Sequence, residues 1–162
     1  MTTVVETDNV GLVTDASKTV RKPSREEGAF LDLLRTTDIL TRGMARVLKP
    51  EDLSMTQYNV LRILRGSPDG LASGEIGNRL ITRDPDITRL LDRLEKRGLI
   101  SRQRQLQDRR TVMAKITPAG IALVDRLDGP VQDVHRRQLG HLGGKRLKIL
   151  AELLVLCRSR TV

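Results

Sequence analysis

The segment DRRTVMAKIT, residues 108–117, places two arginines directly after an aspartate and before residues that alternate in polarity. Guanidinium groups form charge-assisted hydrogen bonds with phosphates, and Asp108 would hold one of them in a fixed rotamer through the same kind of bond. Every second residue from Val112 to Ile116 is apolar, which is typical of a half-buried strand. Arg109 and Arg110 are therefore predicted at the tip of a hairpin, where they would contact a polyanion.

A second set of polar side chains lies in TRDPDITRLLDRLEKRGLI, residues 82–100. Asp84 as N-cap, Pro85 at the first helical position and Gly98 as the stop predict a helix here. Its buried stripe would be Ile87, Leu90, Leu91 and Leu94. The outer face would present groups that can bind base edges in a major groove: Asp86, Thr88, Arg89, Arg93 and Lys96. Asp86 has two equal interpretations, base contact at cytosine N4 or a favourable interaction with the helix dipole.

The neighbouring elements would position these residues as in a helix-turn-helix with a wing. A long helix is predicted from Glu27 to Pro50, and a second begins at Ser54, where Gln57 can complete a capping box. A short helix is predicted in LASGEIGNRL, residues 71–80, and the strands ISRQRQ and TVMAKIT flank the arginine-bearing tip.

The chain after the hairpin is predicted to be helical. Thr117 and Pro118 would start a helix that runs to about Leu139, with a break or bend at Gly129 and Pro130. The terminal helix carries more apolar surface than a lone exposed helix should show. We predict that it packs with the first helix against a second copy of the chain, through Leu33, Leu34, Leu40, Leu147, Leu150 and Leu154.

The charge balance favours a polyanionic partner. The 162 residues carry a formal net charge of +9, and residues 54–120 hold thirteen basic and seven acidic side chains, a net +6. Phe30 and Tyr58 are the only aromatic residues, so a surface for stacking unpaired bases has little to be built from. Duplex DNA is therefore the preferred partner.

Other classes of protein are disfavoured. No nucleophile with a base, paired carboxylates or phosphate-binding glycine loop is recognisable, so we expect no enzyme and no cofactor. Cys157 is too far from His135 and His141 for a familiar metal site, and we expect it to be buried in its leucine-rich helix. Without a membrane-length apolar run or a secretory leader, we expect a cytoplasmic protein with no membrane partner. Residues 1–24 are interpreted as a mobile extension.

The order of SMTQYNVLRIL, DITRLLDRLEKRGLI, DRRTVMAKIT and TPAG resembles the MarR family of bacterial winged helix-turn-helix regulators over roughly residues 30–158. The resemblance implies an obligate dimer and a small-effector crevice between its dimer lobe and its DNA-binding lobe. Family members are mostly repressors released from DNA by small aromatic or phenolic compounds or by cysteine oxidation. Ala72 departs from the Ser or Thr that often caps the first helix of the motif.

The fold is accordingly predicted to be mainly α with a small antiparallel hairpin. Residues 54–117 would form the DNA-binding lobe, and residues 25–53 and 118–162 the dimerisation lobe. The predicted function is a homodimeric repressor that binds a palindromic duplex operator and is released by a small molecule. A winged-helix module for protein docking, or an activator without an effector, is the alternative.

Overall fold

The computed structural model describes residues 23–82, 84–104 and 112–159. It is mainly helical with a small antiparallel sheet, so the predicted fold class is confirmed. The helices are α1 (Arg25–Leu48), α2 (Met55–Arg65), α3 (Ser73–Arg79), α4 (Ile87–Lys96), α5 (Pro118–Leu139) and α6 (Gly143–Ser159). The strands are β1 (Leu71–Ala72), β2 (Ile100–Arg104) and β3 (Val112–Ile116), and short 3₁₀ turns span Lys49–Glu51 and Gly140–Leu142. Residues 1–22 of the predicted extension, which covers residues 1–24, lie outside the described part of the chain.

The chain divides into two compact units, residues 1–35 and 36–162. The described part of the first unit forms the beginning of α1. Ser24 Oγ accepts a hydrogen bond from the Glu27 amide at 3.1 Å, and because Ser24 supplies this cap the helix begins two residues before the predicted Glu27. The lobe boundaries inferred from the sequence stay a prediction.

The second unit contains a single apolar core. Leu61 and Leu64 from α2, Leu91 and Leu94 from α4, and Val124 from α5 are fully buried in it. Leu91 and Leu94 belong to the stripe that the helical periodicity assigned to the buried face of α4, so that part of the prediction is confirmed. The core therefore fixes the orientation of α4 and leaves its polar residues on the outside.

The sheet has the strand order β1-β3-β2, and both pairs are antiparallel. The predicted hairpin is confirmed, with Ile100 opposite Ile116 and Ala114 buried. The short helix predicted within residues 71–80 is α3, and Leu71 and Ala72 before it pair with Ala114 and Met113 as β1, a strand that the sequence did not predict. Gly70 makes this possible: its φ of +84° turns the chain, and a Cβ there would lie 2.7 Å from the Ala114 carbonyl oxygen.

Two features of the helices differ from what the sequence predicts. Asp84 does not cap α4, because its Oδ1 accepts a hydrogen bond from the Asp86 amide at 2.9 Å and this turn keeps Pro85 outside the helix. Of the predicted break or bend at Gly129 and Pro130, the break does not occur, since α5 is continuous through Pro130. A bend there stays a prediction. Burial of Leu127, Val131 and Val134 along one face compensates for the backbone donor that proline lacks.

The terminal helix α6 buries none of its residues within the described chain. Leu147, Leu150 and Leu154 are half-buried, while Ile149 and Leu153 are each 55% exposed. Cys157 is exposed, so the expectation that it is buried is wrong for the single chain, because α6 has no core position to offer. Among the described helices, none is both long enough and apolar enough to span a membrane.

Candidate nucleic-acid interface

The two helices of the predicted motif, α3 and α4, begin with different caps. The α2 helix that precedes them has a complete capping box, in which Ser54 Oγ accepts from the Gln57 amide at 3.1 Å and Gln57 Oε1 accepts from the Ser54 amide at 2.8 Å. At α3 only half of this arrangement exists, since Glu75 accepts from the Ala72 amide at 3.0 Å and alanine has no side-chain acceptor. The start of α3 is thus anchored by β1 pairing as well as by its cap.

The N-terminus of α4 is organised by Asp86. Its Oδ1 accepts a hydrogen bond from the Arg89 amide at 3.2 Å, and its Oδ2 lies 3.3 Å from Arg89 Nε. Asp86 is therefore the N-cap of the helix and a partner that orients the Arg89 guanidinium. Arg89 remains largely exposed, with 76% of its side-chain surface accessible.

The outer face of α4 is exposed along its whole length. Thr88, Arg89, Arg93 and Lys96 are all exposed, and Leu90, Leu91 and Leu94 on the opposite face are buried. A helix of this size, about 10–12 Å across with side chains, fits the width of the DNA major groove. The geometry therefore suits insertion of α4 into a major groove, although the base contacts of Asp86, Thr88, Arg89 and Arg93 stay predictions.

The first strand of the wing is fastened to α4 by Arg102, which the sequence analysis did not single out. The Arg102 guanidinium contacts Glu95 at 2.7–2.8 Å and Asp92 at 2.5 Å, and the Arg102 amide donates to Glu95 Oε1 at 2.9 Å. These hydrogen bonds raise the pKa of Arg102. The three-residue spacing of two acids on α4, opposite a basic residue early in the strand, was the available signal.

The wing tip itself lies outside the described residues, which stop at Arg104 and resume at Val112. Asp108, Arg109 and Arg110 fall in this gap, so their contact with the minor groove stays a prediction.

The other end of α4 is attached to the turn between α1 and α2. Arg97 donates from Nη1 to the Asp52 carbonyl oxygen at 2.6 Å and from Nη2 to the Glu51 carbonyl oxygen at 2.7 Å. Asp52 adopts a left-handed conformation with φ 49°, which helps to turn the chain there. Sequence reasoning missed this contact because backbone carbonyls carry no residue type to recognise.

A third arginine connects α2 with α5. Arg65 donates to Asp128 at 2.7 and 3.1 Å and to Asp125 at 2.7 Å. The hydrogen bonds with Asp128 raise the pKa of Arg65, and they lower the pKa of Asp128 in return. The arginine contacts described so far therefore hold α2, α4, α5 and β2 together within one chain.

Comparisons with known proteins agree with this architecture. The model of the MarR family matches residues 53–112, from the start of α2 to the second strand of the wing. The chain is 42% identical to a MarR transcription factor from Planctomyces limnophilus, with a TM-score of 0.66 over 84% of this chain and 99% of that one. A mutant of Escherichia coli MarR, complexed with operator DNA, is 26% identical with a TM-score of 0.71, over 80% of this chain and 91% of that one.

Among curated proteins, the transcriptional regulator PecS of Dickeya dadantii is 32% identical over 97 residues. The match covers 59% of this chain and 58% of PecS, so the chain spans less than two thirds of that relative. The likeness to PecS therefore concerns the shared region, and what the whole of PecS does is not carried over.

Proposed function

The chain belongs to the MarR family of DNA-binding transcriptional regulators, and from that premise we propose that it is a cytoplasmic homodimeric repressor of a palindromic operator. Each α4 would enter a major groove, with the two half-sites about one helical turn, ~34–36 Å, or a multiple of it apart. A small effector, aromatic or phenolic as the resemblance implies, would release the protein from DNA.

The observation that carries the proposal is the pairing of Asp86 with Arg89 on an otherwise exposed helix face. Because Asp86 caps α4 and contacts the guanidinium, Arg89 loses less rotamer freedom when it docks, which favours its binding. Arginine bound to guanine O6 and N7 is the commonest specific contact in a major groove. We propose that Arg89 contacts a base, and that Thr88 and Arg93 contact the same half-site.

The remaining site residues follow from this placement. Arg109 and Arg110 would contact phosphates or the minor groove from the wing, with Asp108 orienting one of them. The net +6 of residues 54–120 supports a large contribution from phosphate neutralisation. The logarithm of the affinity should then fall against the logarithm of the salt concentration, by roughly 0.9 for each neutralised phosphate.

The test is Arg89→Ala on a duplex selected from random sequences by the wild-type protein. We expect a loss of about 1–3 kcal/mol of discrimination at one base pair of each half-site, measured by fluorescence anisotropy across single-base variants. Arg136→Ala is the matched control, because Arg136 is 72% exposed and pairs with Asp133 three residues earlier on its helix, as Arg89 does with Asp86.

Two outcomes would count against the proposal. Base preference that is unchanged in Arg89→Ala would show that α4 does not contact the operator through this residue. Affinity for duplex DNA that is independent of salt would instead favour the alternative of a protein-docking module. Repression is tested separately, with a reporter gene behind the selected operator, since an activator would raise its expression.

A further inference from the structure

A second concentration of positive charge lies at the junction of α5 and α6, away from the residues proposed to bind the operator. Between Asp133 and Glu152 the chain carries five Lys and Arg side chains and no acidic one. Asp133 itself is paired with Arg136, whose Nη1 lies 2.8 Å from Asp133 Oδ1. The other four cations define the α5–α6 patch: Arg137, Lys145, Arg146 and Lys148.

The side chains of the α5–α6 patch are all exposed. Within the part of the chain that the structure describes, none of the four forms an ion pair, and Glu152, one turn after Lys148, does not pair with it. Lys145 and Lys148 are three residues apart and therefore neighbours on one face of α6, where like charges repel. The patch is thus a surface of one sign that an anionic partner would stabilise.

Two members of the patch stand at the unfavourable end of their helix. Lys145 and Arg146 lie in the first turn of α6, which contains no acidic residue. The free amide groups of a first turn carry partial positive charge, so cations there are disfavoured. Stability or solubility alone would favour acidic or mixed side chains at these positions. A local rule broken in this way is typical of a functional surface.

The patch lies at the far end of α5 from the DNA-binding elements. Helix α5 begins at the junction of α4 and β2, where Thr117 donates from its amide to the Leu99 carbonyl oxygen at 3.1 Å and from Oγ1 to the Gly98 carbonyl oxygen at 2.7 Å. The 22 residues of α5 place its two ends about 30 Å apart. This is about three Debye lengths at 0.1 M ionic strength, so the phosphates of a duplex at the α4–β2 junction are screened from the patch.

The chemistry of the patch fits a phosphate backbone better than a protein surface. Protein interfaces are usually anchored by buried aromatic side chains, and the aromatic residues of this chain, Phe30 and Tyr58, lie far from the patch in sequence. Duplex DNA presents one negative charge per about 1.7 Å of its axis. All four cations can therefore contact phosphates without a partner of matching shape.

We propose that the α5–α6 patch is a second DNA-binding surface, which contacts phosphates irrespective of base sequence and lets a dimer on its operator bridge to another duplex. The bridging rests on the function proposed above, and the contact between patch and duplex does not. In a dimer two copies of the patch would contact the second duplex. A second segment of the same DNA molecule is favoured as partner, because the bound operator raises its local concentration.

The test measures capture of a second duplex by protein that already occupies its operator. Operator duplex on beads is saturated with protein and washed, and a labelled duplex without operator sequence is added at low salt. We expect the wild-type chain to retain the labelled duplex and Lys145→Glu combined with Arg146→Glu to retain about tenfold less per bound protein. The operator affinity of this patch variant, measured by fluorescence anisotropy, should stay within about twofold of the wild-type value.

Thermal unfolding separates loss of binding from loss of folding. Glutamate in the first turn of α6 interacts favourably with the helix dipole, so the patch variant should unfold at a higher temperature than the wild-type chain. Arg46→Glu combined with Arg158→Glu is the matched control, because it makes the same change of net charge at exposed positions in the last turns of α1 and α6. The control should unfold at a lower temperature and still retain the labelled duplex.

Four results would overturn the proposal. Wild-type protein that retains no labelled duplex at low salt would do so, as would equal retention by the patch variant. Loss of operator affinity in the patch variant and not in the control would place the patch within the operator interface. Patch-dependent binding of polyglutamate or of phosphatidylserine vesicles, tighter than that of the duplex, would assign the surface to an acidic protein or a lipid.

Failure of the proposed function gives a different result. If the wild-type chain binds every duplex alike and the patch variant loses that binding, the patch stands and the sequence-specific function fails. If the chain binds its operator and captures no second duplex, the function stands and this inference is wrong.

Discussion

Leucines serve opposite purposes in α4 and α6. In α4, Leu91 and Leu94 are fully buried in the core of the chain, so the exposed residues of that helix are held in a defined orientation. In α6 no residue is buried, and Leu153 and Leu156 are 55% and 61% exposed. The chain thus buries the apolar face of α4, the helix proposed to bind DNA, and buries no residue of its terminal helix. We infer that α4 and the elements packed around it, called the α4 region below, are stable through contacts within one chain. The terminal helix α6 depends on a partner.

The largest expected effect comes from substitutions that disrupt the apolar surface of α6. Leu150→Asp combined with Leu154→Asp would place two carboxylates in the proposed interface, at a cost on the order of 3–5 kcal/mol for each uncompensated buried charge. Both side chains are half-buried in the single chain, so part of this cost falls on folding of the single chain and the rest on dimerisation. Analytical ultracentrifugation should show a dimer for the wild-type chain and monomers for the variant, with operator binding lost.

Lys145→Asp combined with Lys148→Asp is the control, because it adds two carboxylates to exposed positions of the same helix. This control should remain dimeric. A double leucine variant that still sediments as a dimer would show that α6 is not the interface.

The next effect concerns the α4 region, where the hydrogen bonds and ion pairs of Arg102 join β2 to α4. Arg102→Ala removes a guanidinium that is 22% exposed and leaves Glu95 and Asp92 without it, so we expect a loss of about 1–3 kcal/mol in the free energy of unfolding. Urea denaturation measures this loss. Arg104→Ala, at an exposed position of the same strand, should change it by less than about 0.5 kcal/mol. Equal effects of the two substitutions would contradict a specific role for Arg102.

A smaller effect is expected from pH, through the contact between Arg65 and Asp128. The hydrogen bond from Arg65 lowers the pKa of Asp128 in the folded chain, so the folded state favours the ionised carboxylate. This contribution is fully present above the unfolded pKa, about 3.9, and is lost as the pH falls through the lower folded value. Asp128 is 39% exposed, so solvent screening keeps the contribution modest.

Asp128→Asn should therefore lower the stability at pH 6 and flatten its decline between pH 5 and pH 2.5, as measured by urea denaturation. Asp133→Asn, which removes an aspartate paired with Arg136 within one helix, is the control. If the free energy of unfolding falls with acid as steeply in Asp128→Asn as in the wild-type chain, Asp128 does not contribute to the pH dependence.

The sequence predicted most of the elements in the α4 region and few of the side-chain contacts that join them. Periodicity identified the buried leucines of α4, and the capping residues Ser54 and Gln57 fixed the start of α2, because both depend on residue type and spacing. Strand β1 was missed since its two residues become a strand only by pairing with β3. The contacts of Arg65 with α5 and of Arg97 with carbonyl oxygens join residues 45 or more positions apart, and no local pattern specifies them.

The smallest expected effect tests what fixes the start of α3, the helix of the α4 region whose N-cap residue has no side-chain acceptor. Ala72 precedes α3 with the extended conformation of an N-cap, φ −69° and ψ 150°, and Glu75 already accepts from its amide. Ala72→Ser would add the missing acceptor for the Glu75 amide and complete a capping box like that of Ser54 and Gln57. We expect the free energy of unfolding to rise by about 0.5–1 kcal/mol, and Ser54→Ala to lower it by about the same amount. Urea denaturation of the two variants compares them directly. If Ala72→Ser leaves the stability unchanged while Ser54→Ala lowers it, then pairing of β1 with β3, and not the cap, sets the start of α3.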